Sequence, residues 1–128
     1  MAECAVISEK RYGVPAEFSL AQGVHETGLR HLAGYNNPLG MKSPNGRYRN
    51  FHSLQEAFDE HAALLRYGRR FQHAWNRYMD DGNYHRWIAT VSRIYAQDPY
   101  YLSKVVRTAN RPDVAGALAA ARENYGEN

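Results

Sequence analysis

The chain has 128 residues, of which 44% are hydrophobic and 23% are charged, a composition typical of a folded globular domain rather than a disordered segment. This length suits one hydrophobic core, so we expect a single domain over residues 1–128. With 16 Lys and Arg against 13 Asp and Glu, the formal charge of +3 favours anionic partners without requiring one. The single cysteine, Cys4, excludes an intrachain disulfide, and no apolar run approaches the roughly 20 residues of a membrane-spanning helix.

The first part of the chain predicts two helices and a long loop. The Gly-Val-Pro run at 13–15 ends a short first helix and begins a second, because proline is tolerated in the first turn of a helix. The second helix is expected to run from Pro15 to Thr27, which places Glu26 in its last turn. From about residue 29 to 52, glycines and prolines interrupt any periodicity, so we expect a loop with a small hairpin at 43–51.

A third helix is predicted from residue 53 onward. The run Ser53-Leu54-Gln55-Glu56 has the S-x-x-E form of a capping box, and apolar residues follow at helical spacing. His61 falls on that apolar stripe, where we expect a hydrogen-bonded interior histidine rather than a metal ligand. Near the end of the helix, Arg66, Arg69 and Arg70 are expected to form a solvated face.

Four further short helices are predicted in the rest of the chain. They are centred on Trp75, on Trp87, on the stretch from Pro99 to Asn110, and on an Ala-rich segment ending near Asn124, for which Asp113 is the expected N-cap. Both tryptophans have apolar neighbours at helical spacing and are expected in the core. The fold class is therefore mainly α, with six or seven short helices and a vestigial hairpin.

Glu26 is the residue whose position alone suggests chemistry. No acidic residue occurs between Thr27 and Gln55, whereas four Lys or Arg residues lie in that interval. A carboxyl at a helix end beside apolar side chains can have a raised pKa and act as a general acid, but nearby cations lower the pKa of the same group. The sequence leaves open which effect prevails.

Four ordered motifs carry a family resemblance. They are AQGVHETG at 21–28, NNPLGMK at 36–42, FHSL at 51–54 and YAQDPYY at 95–101. Together, over about residues 10 to 110, they resemble the peptidoglycan-hydrolysing glucosaminidases of glycoside hydrolase family 73, which include flagellar and autolysin domains. That family has the patterns A-Q-x-x-x-E-[ST]-G, N-N-x-[FL]-G-[IM]-K and Y-A-T-D-P-x-Y, so Gln97 replaces the usual Thr.

The resemblance implies a lysozyme-like helical domain with a reduced β-lobe that cleaves the β-1,4 bond after N-acetylglucosamine in peptidoglycan. It places Glu26 at the catalytic acid and Tyr95 in the same cleft. It also places Asn37, Gly40 and Lys42 on the loop after the catalytic helix, with a mainly structural role for the first two. No metal or cofactor is expected. Muramidase and lytic transglycosylase chemistry use the same helical frame and stay open.

The second carboxylate of an ordinary glycosidase is missing from its usual place. Many family members carry another Glu in the β-lobe, but here residues 43–52 contain no acid. Paired carboxyls lie about 5 Å apart in retaining glycosidases and roughly 6.5 to 9.5 Å apart in inverting ones, so Asp98 or Glu56 qualifies only if the fold brings it near. We expect Glu26 to protonate the glycosidic oxygen. The N-acetyl oxygen of the substrate, or a water held by groups including Tyr95, then attacks the anomeric carbon.

The aromatic residues favour a sugar-binding cleft. Among the 10 tyrosines, those at loops or helix starts are the better candidates, so Tyr35, Tyr48 and Tyr101 are predicted to bind substrate together with Asn37, Lys42 and Asp98. A non-catalytic peptidoglycan-binding module and a basic nucleic-acid-binding module are the alternatives, although no helix-turn-helix signature occurs and we expect no nucleic-acid partner. Zinc is not expected, because His31 follows His25 by six residues rather than the four of H-E-x-x-H.

The N-terminus lacks the pattern of a secretory signal peptide. Glu3 and Glu9 flank a short apolar stretch, so the basic and long apolar regions of such a signal are missing. We expect synthesis in the cytoplasm, no membrane insertion, and action in the periplasm or cell wall after delivery by a secretion machine or a phage. An injected antibacterial effector, that is a toxin, would have an immunity protein that covers the cleft around Glu26.

Overall fold

The computed structural model describes residues 1–27 and 36–126. The helices in these ranges are α1 (Ala2–Tyr12), α2 (Ala16–Thr27), α3 (Leu54–Tyr67), α4 (Gln72–Asp81), α5 (Tyr84–Tyr95), α6 (Tyr101–Ala109) and α7 (Pro112–Ala121). A 3₁₀ turn over Arg69–Phe71 joins α3 to α4, and a π-helical turn over Arg122–Gly126 follows α7. The mainly α fold is confirmed. Of the helices described, none is long and apolar enough to cross a membrane.

Local signals in the sequence set several helix ends. Gly13 ends α1 in the left-handed conformation (φ 83°), which glycine adopts without the steric cost of a Cβ. Ser53 is the N-cap of α3, and its hydroxyl accepts a hydrogen bond from the Glu56 backbone N–H (3.0 Å). The predicted glycine end of α1 and the predicted start of α3 are confirmed.

The predicted N-cap of the last helix is wrong. Pro112 occupies the first turn of α7 and Arg111 the N-cap position, because proline fixes a backbone angle suited to helix initiation. Asp113 therefore lies inside the first turn, where its carboxylate pairs with the Arg111 guanidinium (Nη2 to Oδ2, 2.6 Å). The α-helix also ends at Ala121, short of the predicted end at Asn124, because the chain continues as a π-helical turn.

The predicted hairpin is reduced to one antiparallel bridge between Lys42 and Tyr48. The Ser43 backbone N–H donates to the Arg47 carbonyl (2.8 Å), and Gly46 reverses the chain with φ 85°. Within residues 36–53 the structure shows this bridge and no longer strand. The segment therefore forms a compact loop beside the helices.

Helix α2 lies between two hydrophobic clusters. Phe18 belongs to a cluster that contains Trp75 and Trp87, and Leu20 belongs to a second cluster that contains Phe58. Every residue from 18 to 24 is buried. Both tryptophans lie in the core, as predicted. A helix packed on opposite sides is a rigid support for residues at its end, because its axis cannot shift without disturbing both clusters.

Candidate active site

Glu26 lies in the last turn of α2. Packing holds the preceding turns, whereas His25 and Glu26 themselves are exposed. Residues 28–35, including the predicted substrate-binding residue Tyr35, lie outside the described part of the chain. The central helix therefore presents a carboxyl group at the surface of the domain.

Two stacked tyrosines lie close to Glu26. Tyr95 ends α5 and Tyr101 begins α6, and their rings stack with centroids 6.1 Å apart and planes 21° apart. Burial raises the pKa of Tyr95, and the Tyr101 phenol and the Glu26 charge raise it further. Burial also raises the pKa of Tyr101 to about 12, with the Glu26 charge adding to the effect and a hydrogen bond from Gln22 opposing it. Both phenols are therefore neutral near pH 7.

Hydrogen bonds fix the two phenol groups in place. The Tyr95 hydroxyl donates to the Leu39 carbonyl (3.0 Å), which joins α5 to the loop at 36–42. The Tyr101 hydroxyl accepts a hydrogen bond from the Gln22 amide (Nε2 to O, 3.1 Å). Gln22 precedes Glu26 by one turn of α2, so both side chains lie on the same side of the helix. The half-buried Tyr95 thus forms a fixed wall near Glu26. Tyr101, predicted to bind substrate, is instead buried in the core (4% exposed) and offers no ring face to a ligand.

Asn37 builds the loop that reaches this wall. Its amide donates to the Met41 carbonyl (2.8 Å) and the Arg49 carbonyl (2.9 Å), and its side-chain oxygen accepts from the Met41 N–H (3.0 Å). The side chain is fully buried. Both amide hydrogens are used within the loop, which suits the structural role expected for Asn37 and leaves neither hydrogen for a ligand.

Lys42 and Tyr48 lie side by side on the bridge. The Lys42 ammonium sits 5.2 Å from the centre of the Tyr48 ring, within range of a cation–π contact. Tyr48 is 55% exposed, which leaves its ring accessible to a sugar face. Lys42 also lines an open groove of about 690 Å³ that extends to Tyr95. The structure therefore brings Lys42 to the same groove as Tyr95.

Asp98 lies in the turn between α5 and α6. Its carboxylate accepts hydrogen bonds from the Lys104 ammonium (2.6 Å) and the Tyr100 backbone N–H (2.8 Å). The Lys104 hydrogen bond lowers the pKa of Asp98, and the nearby His25 lowers it further. Asp98 is thus close to the end of α2, but its carboxylate is engaged by Lys104 of α6 and by a backbone N–H of its own turn.

Glu56 lies elsewhere on the surface. It belongs to the first turn of α3 and lines a different groove, together with Arg11 and Asp59. Of the two acids considered as a second catalytic group, only Asp98 interacts electrostatically with His25, the neighbour of Glu26.

A family model bears directly on this arrangement. The model described as Glucosaminidase, mannosyl-glycoprotein endo-beta-N-acetylglucosaminidase, matches residues 2–113, which include Glu26, both stacked tyrosines and the loop between them. The chain belongs to this glucosaminidase family. The family resemblance drawn from the motifs is confirmed, and membership implies glycoside hydrolase activity of the peptidoglycan-hydrolysing glucosaminidase type. Comparison with curated proteins and with solved structures gave no match.

His61 of this glucosaminidase differs from its prediction in one respect. The side chain is fully buried on α3, as expected, but neither ring nitrogen has a hydrogen-bond partner among the described residues. Burial lowers the pKa of His61 to about 3, so the ring is neutral. Its edge packs against the Tyr95 ring, with centroids 5.7 Å apart. The apolar stripe predicted burial correctly, but the predicted hydrogen bond of His61 is not found among the described residues.

Two groups of residues at the site have roles that the sequence did not assign. Gln22 holds Tyr101, and its spacing of four residues before Glu26 is the signal that places it on the same helix face. Arg69 and Arg70 are exposed, as expected, and they also line the groove beside Tyr95. No local pattern predicts this, because the opposite wall of the groove comes from residues 40–42.

Proposed function

We propose that this protein is an endo-β-N-acetylglucosaminidase that cuts the β-1,4 backbone of peptidoglycan, with Glu26 as its general acid. The observation that supports this role is the position of Glu26, at the end of a rigid central helix and beside the stacked phenols of Tyr95 and Tyr101. The half-buried Tyr95 offers a partly apolar surface to a sugar ring, and the exposed Glu26 carboxyl suits proton transfer.

The proposed reaction needs one enzyme carboxyl. The protonated Glu26 carboxyl donates its proton to the oxygen leaving C1 of N-acetylglucosamine. As the C1–O bond breaks, the N-acetyl oxygen of the same sugar bonds to C1. A water then attacks C1, the bond between C1 and the N-acetyl oxygen breaks so that the acetamide is restored, and a proton of the water passes to the Glu26 carboxylate, which completes the cycle.

Two features of the site support this scheme over a two-carboxylate mechanism. The Asp98 carboxylate is occupied by Lys104 and by a backbone N–H, so it is poorly placed to activate a water. The Tyr95 hydroxyl is held by the Leu39 carbonyl, which leaves its oxygen lone pairs available to orient the N-acetyl N–H or a water. Tyr95 therefore positions the attacking group while remaining neutral.

The test is cleavage of purified peptidoglycan by the wild-type protein and by Glu26→Gln. The amide keeps the shape of the side chain but lacks the acid proton, so we expect turnover to fall by about 10² to 10⁴. Mass spectrometry of the released fragments identifies the bond, because a reducing N-acetylglucosamine indicates a glucosaminidase and an anhydro end indicates a lytic transglycosylase. Unchanged turnover in a folded Glu26→Gln variant, or reducing muramic acid ends, would contradict the proposal.

We further propose that the enzyme acts on the wall of a target cell, as a delivered antibacterial effector or a phage lysin, and that an effector role entails an acidic immunity protein. The formal charge of +3 and the exposed basic groove near the site favour such a partner electrostatically. Expression directed to the periplasm of a bacterial host is expected to lyse cells, whereas cytoplasmic expression leaves them intact. Harmless periplasmic expression of protein that digests peptidoglycan in vitro would contradict this role.

A further inference from the structure

A basic groove borders the candidate active site. It has a volume of about 690 Å³ and is lined in part by Tyr95, which interacts electrostatically with Glu26. Apolar side chains form much of its lining, and three cations stand along it, namely Lys42, Arg69 and Arg70. Among the described residues that line the groove, none is acidic. The groove therefore combines a size typical of ligand sites with a positive charge.

The cations in this groove are available to a ligand. Arg69 is exposed and makes no hydrogen bond or ion pair with any described residue, and Lys42 contacts only the face of Tyr48. Arg70 donates one N–H to the Ile94 carbonyl (3.1 Å), which anchors its guanidinium. The other N–H groups of this guanidinium are left to bind a ligand. Elsewhere in the described chain, six cations pair with carboxylates: Arg11, Arg49, Arg86, Lys104, Arg111 and Arg122.

The positive charge of the groove indicates which part of peptidoglycan it can bind. Both backbone sugars are neutral in the polymer, because the lactyl carboxyl of muramic acid is bound as an amide to the stem peptide. The negative groups are the free carboxylates of that peptide. Guanidinium groups bind carboxylates through paired hydrogen bonds, and an apolar surface suits the alkyl side chains of the peptide.

We propose that the groove formed by Lys42, Arg69 and Arg70 binds the anionic stem peptide next to the cleaved bond, so the enzyme prefers glycan strands that carry free peptide carboxylates. This inference rests on the proposed function, since it assigns a second part of the same substrate. Tyr95 connects the two sites, because it lines the groove and interacts electrostatically with Glu26.

The test compares two forms of one substrate. Peptidoglycan stripped of other wall polymers is used as it is or after its carboxylates have been converted to amides, which keeps the peptide and removes its charge. The proteins are wild type, Arg69→Gln, the double variant Arg69→Gln/Arg70→Gln and, as a matched control, Arg107→Gln on the exposed face of α6. Arg69 makes no contact that the fold needs, so Arg69→Gln is expected to stay folded even if the double variant is destabilised.

We expect the double variant to lose about tenfold to a hundredfold in kcat/KM on native peptidoglycan, with a smaller loss for Arg69→Gln. On the amidated substrate, wild type, both variants and the control should be nearly equal. Equal losses on both substrates, or no preference of the wild type for free carboxylates, would overturn the inference. If the wild type cleaves neither substrate, the proposed function itself fails, so the two failures are distinguishable.

Discussion

The Gln22 amide and the Tyr101 hydroxyl form a buried hydrogen bond (3.1 Å) between residues 79 positions apart in the chain. The bond joins α2 to the start of α6, one helical turn before Glu26. Because it fixes one of the two tyrosines that flank the Glu26 carboxyl, it connects the packing of the core to the geometry of the candidate site.

Removing this bond should reduce stability in a way that a double-mutant cycle resolves. Gln22→Leu and Tyr101→Phe each leave a polar group of the other residue unpaired, so we expect each to lower the free energy of unfolding by about 1 to 3 kcal/mol. The double variant removes both groups, and its loss should be smaller than the sum by about 1 kcal/mol. Denaturant unfolding measures all three values, and strict additivity would show that the two side chains do not interact.

Tyr95 gives a second test, directed at positioning. Tyr95→Phe keeps the ring that stacks on Tyr101 but removes the hydroxyl held by the Leu39 carbonyl. We expect a loss of about 1 kcal/mol in stability. We also expect a fall of about 10- to 100-fold in kcat, with KM little changed, because the attacking group is less well oriented. A Tyr95→Phe enzyme with wild-type kcat would show that the phenol has no part in orienting the reaction.

The helices and the catalytic-acid candidate were predictable because short sequence signals determine them. A left-handed glycine at 13 and a capping serine at 53 act locally, and the AQGVHETG motif lies within one helix. The basic groove was not predictable, because residues 40–42, 64–71 and 94–95 meet only through packing between segments far apart in the chain. Asp113 was misplaced as an N-cap because the preceding proline starts the helix earlier than the acid alone suggests.

Asp98 provides a test of the one-carboxylate mechanism. Its carboxylate is engaged by Lys104 and by the Tyr100 N–H, so Asp98→Asn removes an exposed pairing and leaves the proposed chemistry intact. We expect kcat to change by well under the factor of about 10² that loss of a catalytic proton donor or acceptor causes. Initial rates on peptidoglycan, with Glu26→Gln alongside, measure the difference. A loss matching that of Glu26→Gln would assign Asp98 as the second catalytic group.

The buried His61 predicts a pH dependence of stability. The pKa of His61 lies at about 3 in the folded protein, against 6.5 for an ordinary histidine, so between these values the unfolded chain binds a proton that the folded protein excludes. The free energy of unfolding is therefore unaffected by His61 above about pH 6.5. As the pH falls from 6.5 toward 3, His61 lowers this free energy by up to about 1.4 kcal/mol per pH unit.

The variant that isolates this effect is His61→Phe, which keeps an aromatic ring beside Tyr95 and cannot be protonated. Its free energy of unfolding should fall less steeply than that of the wild type between pH 6.5 and 4, measured by denaturant titration at each pH. The exposed His73→Gln is the matched control and should keep the wild-type slope. Parallel curves for His61→Phe and wild type would mean that protonation of His61 does not oppose folding.

Glu9 has two structural roles, and the difference between them can be measured. Its carboxylate accepts a hydrogen bond from the Ala16 backbone N–H (2.6 Å) at the start of α2, and it also pairs with Arg122 (3.1 Å). Glu17 pairs with the same guanidinium (3.3 Å) and serves as the matched comparison.

Because these ion pairs of Glu9 and Glu17 with Arg122 are partly exposed, each is worth less than about 1 kcal/mol, whereas loss of a helix-capping bond costs about 0.5 to 2 kcal/mol. We therefore expect Glu9→Ala to reduce the free energy of unfolding clearly more than Glu17→Ala does, and only the smaller, ion-pair part of either loss should shrink at high salt. Equal losses that both disappear in salt would show that Glu9 acts through Arg122 alone and does not anchor the start of the helix that carries Glu26.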